Sequence, residues 1–346
     1  MKFPRSRRPR RPLLVPAVLA AVAALAPGAL AAAPTGLPAP EQGLNLLVVG
    51  IDSRKGLTAA EKERFRLGGK ECDCTDVMML VHVSAGNDRV DVVSLPRDSL
   101  TSFPDQHRDR RTGKLHAAHR AKINGAWSEG GSAFAVETVE SMTGLPVHRY
   151  LEIDFRRFMD TVDRVDGGVP ICTEKALKDP ATGIDLQPGT KPVGGGEALQ
   201  YVRSRKADGQ MDFGRIRKQQ KFVVNTLERL REDVLAHPGR LKDLAETLRG
   251  TGATARGITA PELVRLAWRL RNLRPDRTEF ATVPVRGFHP DIAGVGSTVA
   301  WDEKGAAEVF RRLREDRPLP AADEVAPSQV SAATYRPARG ASLICP

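Results

Sequence analysis

Apolar and polar positions fall along this chain in blocks whose period changes. Leu44–Ile51 (LNLLVVGI) is almost continuously apolar and predicts a buried strand ending at Asp52. Val77–Ser84 and Arg89–Leu95 are apolar or alternating runs joined by Ala85-Gly86-Asn87-Asp88, a hairpin signal. Asp76 then immediately precedes the first hairpin strand, and Pro96-Arg97-Asp98 follows the second, so an acid and an arginine meet at one sheet edge. The period shifts at Ser132–Met142, which predicts a helix capped by Ser132. Val147–Ile153 reads as a strand, Phe155–Val165 as a helix closed by Gly167-Gly168, and Val169–Cys172 as a strand. Asp179–Gly196 is a long Pro/Gly loop, and Glu197–Val202 begins a helix. From Ile216, apolar residues recur at Val223, Leu227, Leu230 and Val234, a helical spacing. Pro261–Leu273 and Glu303–Leu313 predict helices, with Glu279–Val285 a strand between them. This alternation indicates an α/β fold.

Three segments carry no clear period. Residues 53–75 are a polar excursion. Residues 103–121 form a basic loop whose His107, His116 and His119 read as solvent-facing, with no metal cluster among the seven histidines. Beyond Pro318 the chain is Pro/Ala-rich and reads as loose until Cys345.

Charge divides the chain. Of the net charge of +11, six units come from Lys2, Arg5, Arg7, Arg8, Arg10 and Arg11 in residues 1–12, which hold no acid; the rest carries only +5. That excludes a nucleic-acid-coating protein. The apolar run Leu13–Ala33 follows the basic leader in the order of a secretory segment. It is also about long enough to span a bilayer, where roughly 20 residues are needed. Membrane anchor and cleaved signal both fit, and either puts the remainder outside the cytoplasm. Residues 34–43 are a linker, 44–315 a single domain and 316–346 a tail. Four cysteines suit an oxidising compartment, and a Cys172–Cys345 bridge pinning the tail is the preferred pairing. A Cys72–Cys74 bridge would close a strained small ring.

Candidate chemistry concentrates in Leu199–Lys221, where seven basic residues face two acids, Asp208 and Asp212. Guanidiniums grip phosphate oxygens through paired hydrogen bonds. Arg203 and Arg205 would point about 200° apart on a helix. They can share one phosphate if the helix from Glu197 ends near Val202, or if their stems curl back. Phe213 is the one aromatic interleaved among the basic residues from Arg203 to Lys221, so base stacking on nucleic acid is not supported. Asp52 and Asp76, both at strand ends, are either turn residues or oxygen ligands for Mg²⁺ (or Mn²⁺) shared with a diphosphate. Arg97 is either a solvated surface group or part of the same site. Asp98 and Asp212 are candidate proton acceptors.

Taken in order, LLVVGIDSR (46–54), TDVMMLVHV (75–83), VVSLPRDS (92–99), KINGAW (122–127), the 147–171 segment, GEALQYVRSR (196–205) and DFGRIRKQQ (212–220) resemble the LytR–CpsA–Psr family of cell-envelope proteins. The resemblance implies an α/β/α sandwich with a central mixed sheet and an apolar groove for a polyprenyl chain. It implies one N-terminal membrane segment, favouring the anchor. It implies a phosphotransferase that moves a glycopolymer from an undecaprenyl-pyrophosphate carrier to a peptidoglycan hydroxyl. By motif, Asp52 and Asp76 match the metal-associated acids, and Arg97, Arg203, Arg205 and Arg215 the pyrophosphate-binding arginines. Asp212 and Gln219 match polar positions of the same site. The chain departs from the family at Asp208–Asp212, where Asp-Pro-x-Gly-Asp is frequent, and at Lys218, where arginine is frequent. A polyprenyl-pyrophosphate pyrophosphatase and a non-catalytic lipid-pyrophosphate-binding scaffold remain the competing readings.

Overall fold

A computed structural model describes residues 43–346 except 69–73, 111, 206–210, 251–253, 255, 327–329 and 331–333, with the backbone alone at 211 and 233–236. The leader and the 13–33 segment lie outside the described residues, where the anchor-or-signal reading falls. Among the described residues no helix is long and apolar enough to cross a membrane.

Strand β1 (Leu44–Ile51) leads through helix α1 (Ala59–Arg64) to β2 (Thr75–Val83) and β3 (Val90–Ser94). Four short strands follow: β4 (Leu100–Phe103), β5 (His107–Arg108), β6 (Leu115–His116) and β7 (His119–Lys122). Helix α2 (Gly125–Thr143), β8 (Arg149–Ile153), α3 (Phe155–Asp163) and β9 (Val169–Thr173) come next. The expected Pro/Gly loop is instead two pairings. β10 (Leu177–Asp179) pairs with β11 (Ile184–Leu186), and β12 (Gly189–Val193) pairs with β9. Helices α4 (Gly195–Arg203), α5 (Met211–Ala236), α6 (Arg240–Arg249) and α7 (Ala260–Arg269) precede β13 (Thr278–Thr282). The hairpin β14 (Val285–Ile292) and β15 (Gly296–Trp301), helices α8 (Glu303–Arg314) and α9 (Ala322–Val325), and β16 (Ala338–Arg339) complete the chain.

The central sheet runs β16-β13-β3-β2-β1-β8 and is mixed. β1 is antiparallel to β2 and parallel to β8, as β3 is antiparallel to β2 and parallel to β13. Successive side chains of a strand face opposite sides, so β1 serves two cores. Leu47, Val49 and Ile51 pack with Met78 and Leu80 against α2 and α8. Leu46 packs on the other face with Leu151 and Ile258, beside a half-buried row of Val48, Val81, Ile153, Leu248, Leu263 and Leu266. A third cluster joins α3, α4, β9 and Phe222 of α5. Gly195 lets α4 lie directly on α3, since a Cβ there would sit 2.3 Å from the Met159 carbonyl oxygen.

Two expectations fail because packing overrides composition. α2 starts at Gly125, seven residues before the expected cap, and breaks at Gly131, whose φ of 72° lies in the region glycine tolerates. Ser132 opens only the second segment. The tail is not loose either: Tyr335 is fully buried and donates to the Pro320 carbonyl, Leu319 and Val325 join the core, and β16 covers the edge of β13. Short apolar residues spread among prolines gave no period to read. The Cys172–Cys345 disulfide is present. Cys74 is also disulfide-bonded, and Cys72 lies outside the described residues.

Candidate active site

The β2–β3 hairpin does bring its open end together, with one correction. Asp76 does not precede β2 but lies inside it. The register steps from Gly50↔Val77 to Ile51↔Thr75, leaving Asp76 as the extra residue of a bulge. A bulge re-aims the side chain it carries. The apolar pattern begins only at Val77, so sequence periodicity started the strand too late. Asp52 follows on the neighbouring strand, its N–H donating to the Cys74 carbonyl.

Across the hairpin, Pro96–Ser99 is fixed from several sides. Ser99 N–H and Oγ both donate to the Pro96 carbonyl. Asn124 N–H donates to the Arg97 carbonyl, Ile123 N–H to that of Ser99, and Val299 N–H to that of Asp98. Trp301 Nε1 donates to Ser99 Oγ at 2.8 Å. The turn therefore presents Arg97 with little freedom, and Arg97 Nη1 donates to Asp76 Oδ1 at 2.5 Å. Asp98 faces Lys122 Nζ at 3.2 Å.

α4 ends at Arg203, and Ser204 is extended with φ −65° and ψ 133°. The helix thus stops between the two arginines, as their sharing of one anion requires. Ser204 is buried and donates to the Tyr201 carbonyl, while the Arg205 N–H donates to Asp179 Oδ2 at 2.8 Å. Asp179, 1% exposed, is a positioning residue that the sequence reading missed. A buried carboxylate that caps a backbone turn leaves no motif. In the first turns of α5, Asp212 meets Arg205 Nε at 3.1 Å and Arg215 Nη2 at 3.2 Å. Gln219 sits behind this layer, buried, its amide donating to the Val202 carbonyl. It joins α5 to the end of α4.

Three guanidiniums converge on one carboxylate. Besides Arg97, Arg215 Nη1 lies 3.5 Å and Arg205 Nη2 3.7 Å from Asp76 Oδ1. The described residues donate no hydrogen bond to Oδ2. Burial alone would raise the Asp76 carboxyl, but Arg215, Arg97 and Arg205 outweigh it and hold it below the usual carboxylate range. Burial pushes Arg215 down to about 10 against the pull of Asp212 and Asp76. Burial likewise lowers Arg203, which feels both Asp52 and Asp76. Asp52 itself is held bidentately by Arg54, at 3.0 and 3.1 Å.

The cluster is built with donors to spare. Arg203 Nη1, Arg97 Nε and Arg215 Nε are buried and make no hydrogen bond among the described residues. Leaving such donors unmade costs about 1–3 kcal/mol each. Arg54, Arg97, Lys122, Arg203, Arg205 and Arg215 stand against Asp52, Asp76, Asp98 and Asp212, an excess of positive charge. An anionic ligand with several oxygens satisfies both conditions. The carboxylates of Asp52 and Asp76, at one sheet edge and with Oδ2 of Asp76 unengaged, also fit an oxygen-seeking cation such as Mg²⁺.

A model of the LytR_cpsA_psr family matches residues 31–315. The chain belongs to this family. It is similar to the probable cell wall biosynthesis protein LcpB of Corynebacterium glutamicum, with 32% identity over 274 residues, 79% of this chain and 61% of that protein. It is also similar to the polyisoprenyl-teichoic acid–peptidoglycan teichoic acid transferase TagU of Oceanobacillus iheyensis, with 24% identity over 75% of this chain and 72% of that one. The LytR_cpsA_psr chain thus spans about three fifths of the length of LcpB. Its fold matches the crystal structure of B. subtilis TagV with a TM-score of 0.59 and 20% identity, covering 81% of this chain and 99% of that one.

Proposed function

We propose that the protein is a phosphotransferase that moves a glycopolymer from a polyprenyl-pyrophosphate carrier to a hydroxyl of peptidoglycan at the outer face of the membrane. The observation that carries this reading is the arginine cluster: three guanidiniums on one bulged carboxylate, with buried guanidinium donors left unmade at Arg97, Arg203 and Arg215. Relatives named as transferases of polyisoprenyl-linked teichoic acid support it.

In this reading Arg97, Arg203, Arg205 and Arg215 bind the diphosphate oxygens, and their fixed placement supplies the charge stabilisation on which phosphoryl transfer depends. Asp212, held by Arg205 and Arg215, orients those two side chains. Asp98 has the looser partners, at 3.2 and 3.6 Å, and takes the proton of the attacking hydroxyl. The hydroxyl oxygen bonds to the glycan-bearing phosphorus, the diphosphate bridge breaks, and polyprenyl phosphate leaves. Asp52 and Asp76 would hold Mg²⁺ or Mn²⁺, which would neutralise diphosphate charge. The half-buried apolar residues Val48, Val81, Ile153, Leu248, Leu263 and Leu266 would accommodate the lipid chain. The basic leader and apolar segment would anchor the domain beside that substrate.

Incubating the purified protein with a polyprenyl-pyrophosphate glycan and peptidoglycan should give a covalent, Mg²⁺-dependent phosphodiester adduct. Release of free phosphorylated glycan with acceptor present would identify a pyrophosphatase instead. Binding without turnover would identify a scaffold.

A further inference from the structure

The basic 103–121 segment, read from sequence as solvent-facing, folds back on itself. β5 pairs with β6, placing His107 opposite His116, and β4 pairs with β7, placing His119 opposite Phe103. His107 is buried, stacked on Phe134 with ring centroids 4.9 Å apart. All three imidazoles then meet one carboxylate, that of Glu129, in the last turn of α2 before its break at Gly131. Glu129 Oε2 lies 2.7 Å from His107 Nε2 and 3.7 Å from His116 Nδ1, and Oε1 lies 3.4 Å from His119 Nε2.

The outward ring nitrogens have partners of a particular kind. His107 Nδ1 faces the Pro104 carbonyl at 2.9 Å, and His119 Nδ1 faces that of Ala117 at 3.0 Å. A carbonyl accepts, so Nδ1 of each ring donates to it and Nε2 is the nitrogen left for Glu129 or for a cation. A neutral imidazole has one donor, so Nε2 meets the Glu129 carboxylate either through a second ring proton or through a metal cation. Histidine held this way by a backbone carbonyl is the usual second layer of a metal site.

We propose that His107, His116, His119 and Glu129 bind one Zn²⁺-class ion that staples the β4–β7 excursion to α2. Three imidazole nitrogens and one carboxylate oxygen favour zinc or its neighbours over magnesium or calcium. The four ligand atoms lie within 4.8 Å of one another. Tetrahedral zinc wants them about 3.3 Å apart, a closure that His116 and His119, each over a third exposed, can make by side-chain rotation. With all four positions supplied by protein, the site is structural. The need is evident locally, since β5 and β6 are two residues long and Leu115 is 56% exposed. This site is separate from the arginine cluster and stands whether or not the transferase reading holds.

The test uses the full chain stripped with EDTA and titrated with Co²⁺, then Zn²⁺. Expected are one high-affinity equivalent per chain with the intense visible absorption of tetrahedral Co²⁺, its loss on adding Zn²⁺, and a raised unfolding midpoint with zinc; a second equivalent at Asp52 and Asp76 would absorb only weakly. The His116→Ala/His119→Ala double variant, altered at the two more exposed ligands, should lose more than about 100-fold in affinity. Asp76→Asn should lose none. Equal tetrahedral-type binding by wild type and the double variant, or octahedral-type weak absorption alone in wild type, overturns the proposal.

Discussion

The hairpin of β2 and β3 carries a carboxylate near each end. At the open end, Asp76 meets three guanidiniums that have donors left over. At the turn end, Asp91 is fully buried and meets one, Arg89, at 2.9 Å. That arginine is shared with Asp316, which also accepts from the Ala85 N–H and faces His82 Nε2. Burial pushes the Asp91 carboxyl up to about 7, with Arg89 opposing, whereas Asp76 is held down. The same desolvation acts at both ends, and the number of guanidiniums decides the outcome. A network whose charges are shared inside the protein holds strands together. One with cationic excess awaits a ligand.

If that contrast is right, its two ends should fail differently. Arg89→Ala leaves Asp91 and Asp316 without their shared cation and should cost about 3–5 kcal/mol in chemical denaturation, with the remaining folded protein fully active. Arg97→Ala should do the reverse. Activity in the adduct assay should fall about 10²–10³-fold, while the unfolding midpoint changes little, because a crowded positive cluster loses one charge. A comparable stability loss at Arg97 would dissolve the distinction.

A smaller effect concerns pH. The folded Asp91 carboxyl keeps its proton up to about 7, while the unfolded one loses it near 3.9. Between those values the folded state binds more protons, so stability falls as pH rises, by about 1.4 kcal/mol per unit from this group. The contribution is present below about pH 4 and lost through about pH 7. Asp91→Asn should flatten the curve over that window, measured as the difference from wild type. The smallest effect is at Lys122, whose partly exposed pair with Asp98 is worth at most about 1 kcal/mol. Lys122→Ala should leave thermal stability nearly unchanged.

Legibility followed the range of the forces involved. β1 has the bounds its apolar run gives, and α4 ends between Arg203 and Arg205, one of the two arrangements their spacing allowed. Chain-local patterns and turn chemistry carry such features. The Asp76 bulge, Asp179 beneath Arg205 and the clamp of β15 on Asp98 and Ser99 depend on partners 24 to 202 residues away, which no local period records. The histidines misled for the same reason: a polar loop looks solvated until α2 supplies Glu129.

The Cys172–Cys345 bond closes a ring over 173 positions, worth about 5 kcal/mol of lost freedom in the unfolded chain. The ring divides the candidate site. Arg203, Arg205, Asp212 and Arg215 lie within it; Asp52, Asp76 and Arg97 lie outside. It is also stitched to the helix bearing Arg215, since Asn225 of α5 accepts from the Cys345 N–H and donates to the Leu343 carbonyl. Thiol–disulfide exchange would therefore release a tether on the α5 side of the arginine cluster and none on the hairpin side. Under reducing conditions the residues within the ring lose a covalent constraint that those outside it never had.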